Sequence, residues 1–309
     1  MNGARPGAGT PPSPALATLV DTLRARHGDA VEAVLFYGSC LRSGDLFDGL
    51  VDLYLIVDGY RHLYGAGLRA AANRLLPPNV YYIEIPVDGR VLRAKYAVLS
   101  KADLRRGTRR WFHSYLWGRF TQPIALAWAR DDRVRQEVMD SLSAAVRTFL
   151  ERVLPRLPAA GTVRELWQRG LALSYAAELR AESSGRAAEL TDAALDYYVS
   201  VTRAAAPGLR WPLHIEGSGG QARYRADIPG RTRLLARLAW PLRRLQGKLL
   251  SVLRLLKALF TFDGGLDYIA WKLERHSGQK VEIPDRVRRW PLIFVWGLFW
   301  RLYRRGIFR

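Results

Sequence analysis

Two apolar runs of strand length constrain this chain most. The first spans Ala30–Tyr37 and ends in VEAVLFY; the second, VDLYLIV, spans Val51–Val57. Runs this short, rich in Val, Leu, Ile and Tyr and bounded by turn residues, read as strands rather than helices. The first stops directly at Gly38-Ser39, and the loop that follows is polar, with Ser43-Gly44 and Asp48-Gly49. Asp52 stands inside the second run. A carboxylate within an apolar strand is costly to bury unless a cation accompanies it.

The surrounding pattern is mixed. Leu16, Leu19, Val20 and Leu23 repeat at helical spacing and predict a helix over 15–28. A second helix is expected over Arg61–Leu76, stopped by Pro77-Pro78. Tyr81–Val87 and Val91–Leu99 read as strands around a turn at Asp88-Gly89-Arg90, and helices dominate from Ala102 onward. Leu154-Pro155 to Gly161 is the expected domain boundary, closing a first domain at 15–154. Residues 162–205 form a helical block, and Ala206–Pro229 reads as a connection that completes a second unit over 162–229. Met1–Pro14, rich in Gly, Pro and Ala, is expected to be a disordered tail and has no apolar signal-peptide core. The fold class is therefore α+β.

Charge narrows the partners. Lys and Arg number 48 against 28 Asp and Glu, a net +20 that asks for nucleic acid, a nucleotide or an acidic membrane surface. Between Arg231 and Arg309 there are 18 basic and 5 acidic residues, so +13 of that excess lies in the last quarter. There Leu234, Leu238, Leu242, Leu245, Leu249, Leu253, Leu256 and Phe260 form a helical stripe, with Arg233, Arg237, Arg244, Lys248 and Lys257 off it. The terminal segment RVRRWPLIFVWGLFWRLYRRGIFR combines Trp and Arg, residues that favour a bilayer interface. Its longest clean apolar run, Trp290–Trp300, falls short of the ~18–20 residues that span a bilayer. Residues 230–309 thus read as a basic, membrane-associating region, with an oligomer interface or interhelical core as the alternative. Nucleic acid ranks below both, because the region is dense in Leu, Ile and Val. The lone Cys40 rules out an intrachain disulfide and a cysteine zinc cluster.

Gly38-Ser39, twelve intervening residues and then Asp52 within a strand resemble the polymerase-β-like nucleotidyltransferases. In such a site the small turn faces incoming phosphates, and the carboxylate on the neighbouring strand holds Mg²⁺ against them. The pattern usually carries a second acid two residues on, and Tyr54 stands there instead. Asp45, Asp48, Asp58 or Glu84 could supply a further ligand, and Glu84, in the later strand, ranks first.

Further motifs narrow the branch. Lys95-Tyr96-Ala97-Val98-Leu99-Ser100, then Leu104, Trp111, Tyr115, Gly118-Arg119 and Pro123, resemble the mitochondrial-type phosphatidate cytidylyltransferase family. Glu165-Leu166 and Leu173-Ser174-Tyr175 extend the resemblance, which covers roughly residues 34–180. Ala97 stands where that family has Gly, Trp117 where it has Ala, and Glu84 where it more often has Asn. The resemblance implies a nucleotidyltransferase domain with a mixed sheet, then a helical, winged-helix-like domain and C-terminal amphipathic helices. It also implies the reaction CTP plus phosphatidate giving CDP-diacylglycerol plus pyrophosphate, with Mg²⁺ as cofactor. Gly38, Ser39, Lys95 and Arg119 would then bind nucleotide phosphates, Asp52 and Lys95 would be catalytic, and Asp52 and Glu84 would hold metal. An enzyme of this kind is expected in the cytoplasm, bound peripherally to the inner face of the cell membrane. Two other classes stay open: a nucleotidyltransferase with another acceptor (small molecule, protein or RNA), and a non-catalytic membrane-bound nucleotide-binding scaffold. An oligomer is compatible with either.

Overall fold

The structure is a computed structural model that describes residues 13–178 and 185–261, with 265, 271, 274 and 287. The expected tail up to residue 12 and the tryptophan-rich segment beyond 287 lie outside the described residues.

The first half runs α1 (Pro14–His27), β1 (Val31–Tyr37), α2 (Ser39–Ser43), β2 (Val51–Val57), α3 (Tyr60–Tyr64), α4 (Leu68–Leu75), β3 (Asn79–Val87), β4 (Arg90–Ser100), α5 (Lys101–Arg109) and β5 (Ile124–Ala129). The strands form one mixed sheet in the order β3-β4-β2-β1-β5. Only β2 and β4 run parallel; the other neighbours are antiparallel. Both central strands are buried on two sides, which is why they read as continuous apolar runs. Leu16, Leu19, Val20 and Leu23 of α1 pack with Val34, Phe36, Leu53 and Leu55 on one face. On the other, Leu35, Tyr54 and Ile56 pack beneath α6 (Asp132–Val153).

Two expectations in this half need correction. The helix expected over 61–76 is broken at Gly65-Ala66-Gly67 into α3 and α4: Gly65 takes φ 71° and its N–H closes the first piece on the Arg61 carbonyl. β5 lies where helices are expected, because Ala at every second position of IALAWA is a strong helix former and hides a period-two pattern.

The second half contains β6 (Ala160–Thr162), α7 (Val163–Tyr175), α8 (Arg186–Asp192), α9 (Leu195–Ala205), β7 (Leu213–Glu216), β8 (Arg223–Ala226) and α10 (Gly230–Thr261). The stretch 206–229, read as a connection, carries the β7–β8 hairpin. With β6 it makes a three-stranded sheet in the order β6-β8-β7, beside helices α7 and α9, a winged-helix plan. Glu165 completes a capping box with Thr162 and so starts α7. Core runs without a break from the large sheet through Val153, Leu154 and Leu157 into Val163 and Leu166. An aromatic column crosses the same junction: Phe149 stacks on Trp167 at 4.7 Å, and Trp167 meets Tyr198 at 4.4 Å.

The helix α10 is amphipathic in an inverted sense. Its inward side buries Trp240 and Arg243. Arg243 Nε donates to the Phe112 carbonyl (2.6 Å), Arg254 Nε to that of Pro77 (3.0 Å), and Lys257 Nζ to those of Leu76 (2.6 Å) and Pro78 (2.7 Å). The eight positions of the expected leucine stripe face outward instead, each 41–68% exposed. No helix among the described residues is long and apolar enough to cross a membrane.

Candidate active site

Strand register assembles the site. Tyr37 pairs with Ile124 on one side and Asp52 on the other, and Asp52 pairs with Lys95. Directly opposed residues share a sheet face, so Ile124, Tyr37, Asp52 and Lys95 make one row at the end of β1. All four line a cavity of about 310 Å³, together with Gly38, Ser39, Arg42, Arg119, Gln122, Tyr175 and Tyr198. The second half of the chain therefore closes a site opened by the first.

Lys95 Nζ lies 3.0 Å from Asp52 Oδ1. The cation that the half-buried carboxylate called for is thus supplied by the parallel strand. The pair is close but not aligned as a hydrogen bond, and Oδ1 is buried without a hydrogen-bond partner. Gly38 is required twice over. Its φ of 93° favours glycine, and a Cβ there would lie 2.7 Å from Asp52 Oδ2. The turn therefore lays backbone directly against the carboxylate, and Ser39 opens α2 at the same point.

Arg119 is held from behind by Glu178, whose Oε2 is 3.2 Å from Nη2, and by the Tyr115 ring at 4.9 Å. Its Nε is buried with no hydrogen-bond partner. Gly118 ahead of it is a packing residue: an added Cβ would come within 2.8 Å of the Ser114 carbonyl. Burial, and next the Asp52 charge, push the Tyr37 phenol up to about 12, so it stays protonated as a hydrogen-bonding group in the cavity wall.

Tyr54 and Glu84 bear on the metal question. Tyr54, where a second acid was sought, is fully buried between Tyr37 (5.1 Å) and Phe120 (4.8 Å). It fills core volume, and burial raises its phenol well above the usual range. Glu84 is not brought to Asp52. It lies on the edge strand β3, accepting from Tyr82 Oη (2.6 Å) and Arg93 Nε (3.0 Å), outside the cavity lining. No group of three or more His, Cys, Asp or Glu suited to a metal occurs among the described residues. Mg²⁺ in phosphate chemistry is commonly held by one or two carboxylates with substrate phosphates and water supplying the rest. Asp52, with an unsatisfied buried oxygen, fits that sparse donor set.

Several cavity residues were not singled out from sequence. Arg42 is one turn beyond Gly38-Ser39. Gln122 accepts from Tyr175 Oη at 3.0 Å, and Tyr198 presents a buried hydroxyl with no hydrogen-bond partner. Arg186, at the start of α8, also lines the cavity and pairs with Glu189 at 3.1 Å. The basic character of Arg42 is legible in the sequence, but its meeting with Tyr198 of α9 in one cavity is not, because it depends on how the second half of the chain packs.

A strand, a forced glycine turn and a carboxylate on the adjoining strand face a basic cleft on a mixed sheet, the arrangement expected of a nucleotidyltransferase-type domain. Comparison with known proteins finds similarity to one family. Residues 58–189 match the family described as phosphatidate cytidylyltransferase, mitochondrial. The Xenopus laevis protein of that name is 30% identical over 102 residues, covering 33% of this chain and 29% of that protein. The Schizosaccharomyces pombe protein of the same name is 27% identical over 118 residues, covering 38% and 28%. The matched stretch thus spans less than a third of the length of either relative. The family match, residues 58–189, holds Lys95, Arg119 and Tyr175 but begins beyond Asp52. A nucleotidyltransferase-like protein from Exiguobacterium sibiricum aligns over 94% of this chain and 91% of its own, at 10% identity and a TM-score of 0.26.

Proposed function

We propose that the chain is a phosphatidate cytidylyltransferase, forming CDP-diacylglycerol and pyrophosphate from CTP and phosphatidate at a membrane surface. The observation that carries the reading is the meeting of Asp52, Lys95 and the Gly38 turn in one basic cavity, on a chain whose next segment matches that family. The triphosphate lies against Gly38 and Ser39, with Arg42, Lys95 and Arg119 offsetting its charge. An oxygen of the lipid phosphate attacks the α-phosphorus of CTP; the new P–O bond forms as the bond to the bridging oxygen breaks, and pyrophosphate leaves with that electron pair. Lys95, seated beside Asp52, neutralises charge on the phosphates and fixes the carboxylate. Mg²⁺ held by Asp52 would supply Lewis-acid stabilisation of the charge that develops during such in-line transfer.

The outward leucines of α10 support attachment to an anionic membrane. Full burial of one such side chain is worth ~1.5–3 kcal/mol, and each basic residue near an anionic surface adds about 1 kcal/mol. This reading puts the enzyme peripherally on the inner face of the cell membrane. Fractionation of cells, with salt extraction of the membrane pellet, tests the location.

The activity test uses purified protein, each labelled nucleoside triphosphate and phosphatidate in detergent with Mg²⁺. The expected outcome is a CTP-dependent nucleotide-lipid that Asp52→Asn abolishes without loss of fold. Turnover that survives Asp52→Asn removes Asp52 from the mechanism; a product formed only with a non-lipid acceptor replaces the lipid reading.

A further inference from the structure

A second cavity, of about 210 Å³, lies where α10 passes the α4–β3 turn and α5. Its polar lining is Arg74, Arg106, Arg254, His113 and Asp103, and Leu75 and Leu250 contribute to the walls. It is separate from the catalytic cavity and shares no lining residue with it. Volumes below the ~300 Å³ at which sites for drug-sized ligands begin suit a single small group rather than a nucleotide.

The chemistry of the lining is that of a phosphate receptor. Three guanidinium-bearing residues face one carboxylate, Asp103, and that carboxylate is already engaged. Its Oδ2 accepts from Tyr60 Oη at 2.7 Å, and its Oδ1 is bound to Arg106. Planar guanidinium groups match phosphate oxygens in pairs. His113 is 9% exposed and its Nδ1 is buried with no hydrogen-bond partner. An unmatched buried polar atom costs ~1–3 kcal/mol, and a ligand oxygen would remove that cost.

The rim decides the source of the phosphate. Leu75 is 87% exposed and Leu68, on the same helix, 80%. Beyond Leu250 and Arg254, the outer side of α10 presents Leu249 and Leu253 to solvent. A cationic throat with an apolar, exposed rim complements a headgroup phosphate whose acyl chains continue along the rim. We propose that this cavity binds the headgroup phosphate of an anionic membrane lipid, as a docking site distinct from the catalytic one. The assignment rests on the reading that the outer face of α10 lies on a membrane. Occupancy also reaches toward catalysis. Arg254 lies 3.9 Å from the Tyr115 ring, and Arg119 of the catalytic cavity is 4.9 Å from that same ring.

The test is co-sedimentation of the full chain with vesicles of phosphatidylcholine alone and of phosphatidylcholine carrying phosphatidylglycerol, a lipid that is not the proposed substrate. Wild type is expected to bind the anionic vesicles at least tenfold more tightly. His113→Phe leaves the net charge at pH 7 unchanged, since burial and then the Arg254 charge hold this imidazole at about 4. It is expected to cut that preference at least threefold, with neutral-vesicle binding and melting temperature retained. If His113→Phe unfolds the chain, Arg74→Gln, at an exposed position, is read in its place with the same expectation. An unchanged preference in the folded variant overturns the site while leaving membrane attachment standing. Failure to bind any vesicle overturns the attachment itself. Inorganic phosphate is the second arm: if it displaces the chain from anionic vesicles at low millimolar concentration in wild type, free phosphate and not lipid is the ligand, and the lipid assignment fails.

Discussion

Replacing Gly38 with alanine probes the contact that defines the catalytic geometry. At φ 93° and ψ −159° the backbone occupies a region that is essentially glycine-only, and an alanine held there costs of order 1–3 kcal/mol. The new Cβ would also stand 2.7 Å from Asp52 Oδ2. Ordinary contact requires ~3.5 Å, so the carboxylate must retreat by about 0.8 Å. Asp52 has little room to do so, with its other oxygen 3.0 Å from Lys95 Nζ and Tyr37 beside it in the ladder. Misplacement of a catalytic group by ~1 Å can cost about 100-fold in rate, or ~2.7 kcal/mol. The strain alone lowers the melting temperature by up to roughly 2–4 °C per kcal/mol, the figure for units of about 150–250 residues. Gly44→Ala separates the two effects: it has φ 76° but nothing within 4 Å of an added Cβ, so it carries strain without displacing Asp52. The assay is initial rate of nucleotide-lipid formation, with thermal melts of both variants. Gly38→Ala is expected to lose about 100-fold in rate by this reasoning, and Gly44→Ala to lose stability but keep its rate. Equal rate losses in the two variants, or a Gly38→Ala rate within threefold of wild type, refute the argument.

Other perturbations test the remaining assignments. Leu242→Glu with Leu249→Glu should abolish binding to neutral vesicles and leave the melting temperature unchanged, because both side chains are already exposed; a loss of oligomer mass instead, with vesicle binding intact, assigns the ridge to a protein interface. Gly247→Ala would gain about 1 kcal/mol of helix propensity, but the added Cβ meets the Ala177 carbonyl oxygen, so α10 should exchange backbone hydrogens faster; slower exchange would mean propensity wins. Burial, then Arg26 for His27 and Arg254 for His113, lowers both imidazoles from 6.5 to about 4. The unfolded chain takes up these protons near 6.5 and the folded chain only near 4, so their contribution is present above pH 6.5 and lost as pH falls to 4. The loss should be on the order of 3 kcal/mol from His113, with a smaller share from the partly exposed His27 after screening, read from urea midpoints. A slope between pH 6.5 and 4 that survives replacement of both histidines by Gln contradicts the assignment.

Local elements and the chemistry they can bear follow from short stretches of residues. VEAVLFY and VDLYLIV are strands because burial on both sides selects unbroken apolar runs, and Gly38 was conspicuous because a Gly-Ser turn can lie close to phosphates. Asp52 needed a cation, and Lys95 was within reach of the same reading through its family motif. Tertiary structure decided the pairings. Parallel β2–β4 register put Lys95 beside Asp52, and the same sheet left Glu84 two strands away on an edge, paired with Arg93. Tyr54 became core because Phe120 and Tyr37 close over it. Tyr198 and Arg42 meet at one cavity only through the fold of the second half. The leucine stripe of α10 shows the difference most clearly. Periodicity identifies an apolar face, but it cannot say which face turns inward. Here Trp240 and the carbonyl-bound Arg243, Arg254 and Lys257 hold the helix to the body, leaving the leucines outside. Side-chain spacing is a local property, whereas the choice of buried face depends on the carbonyls and cavities that distant segments present.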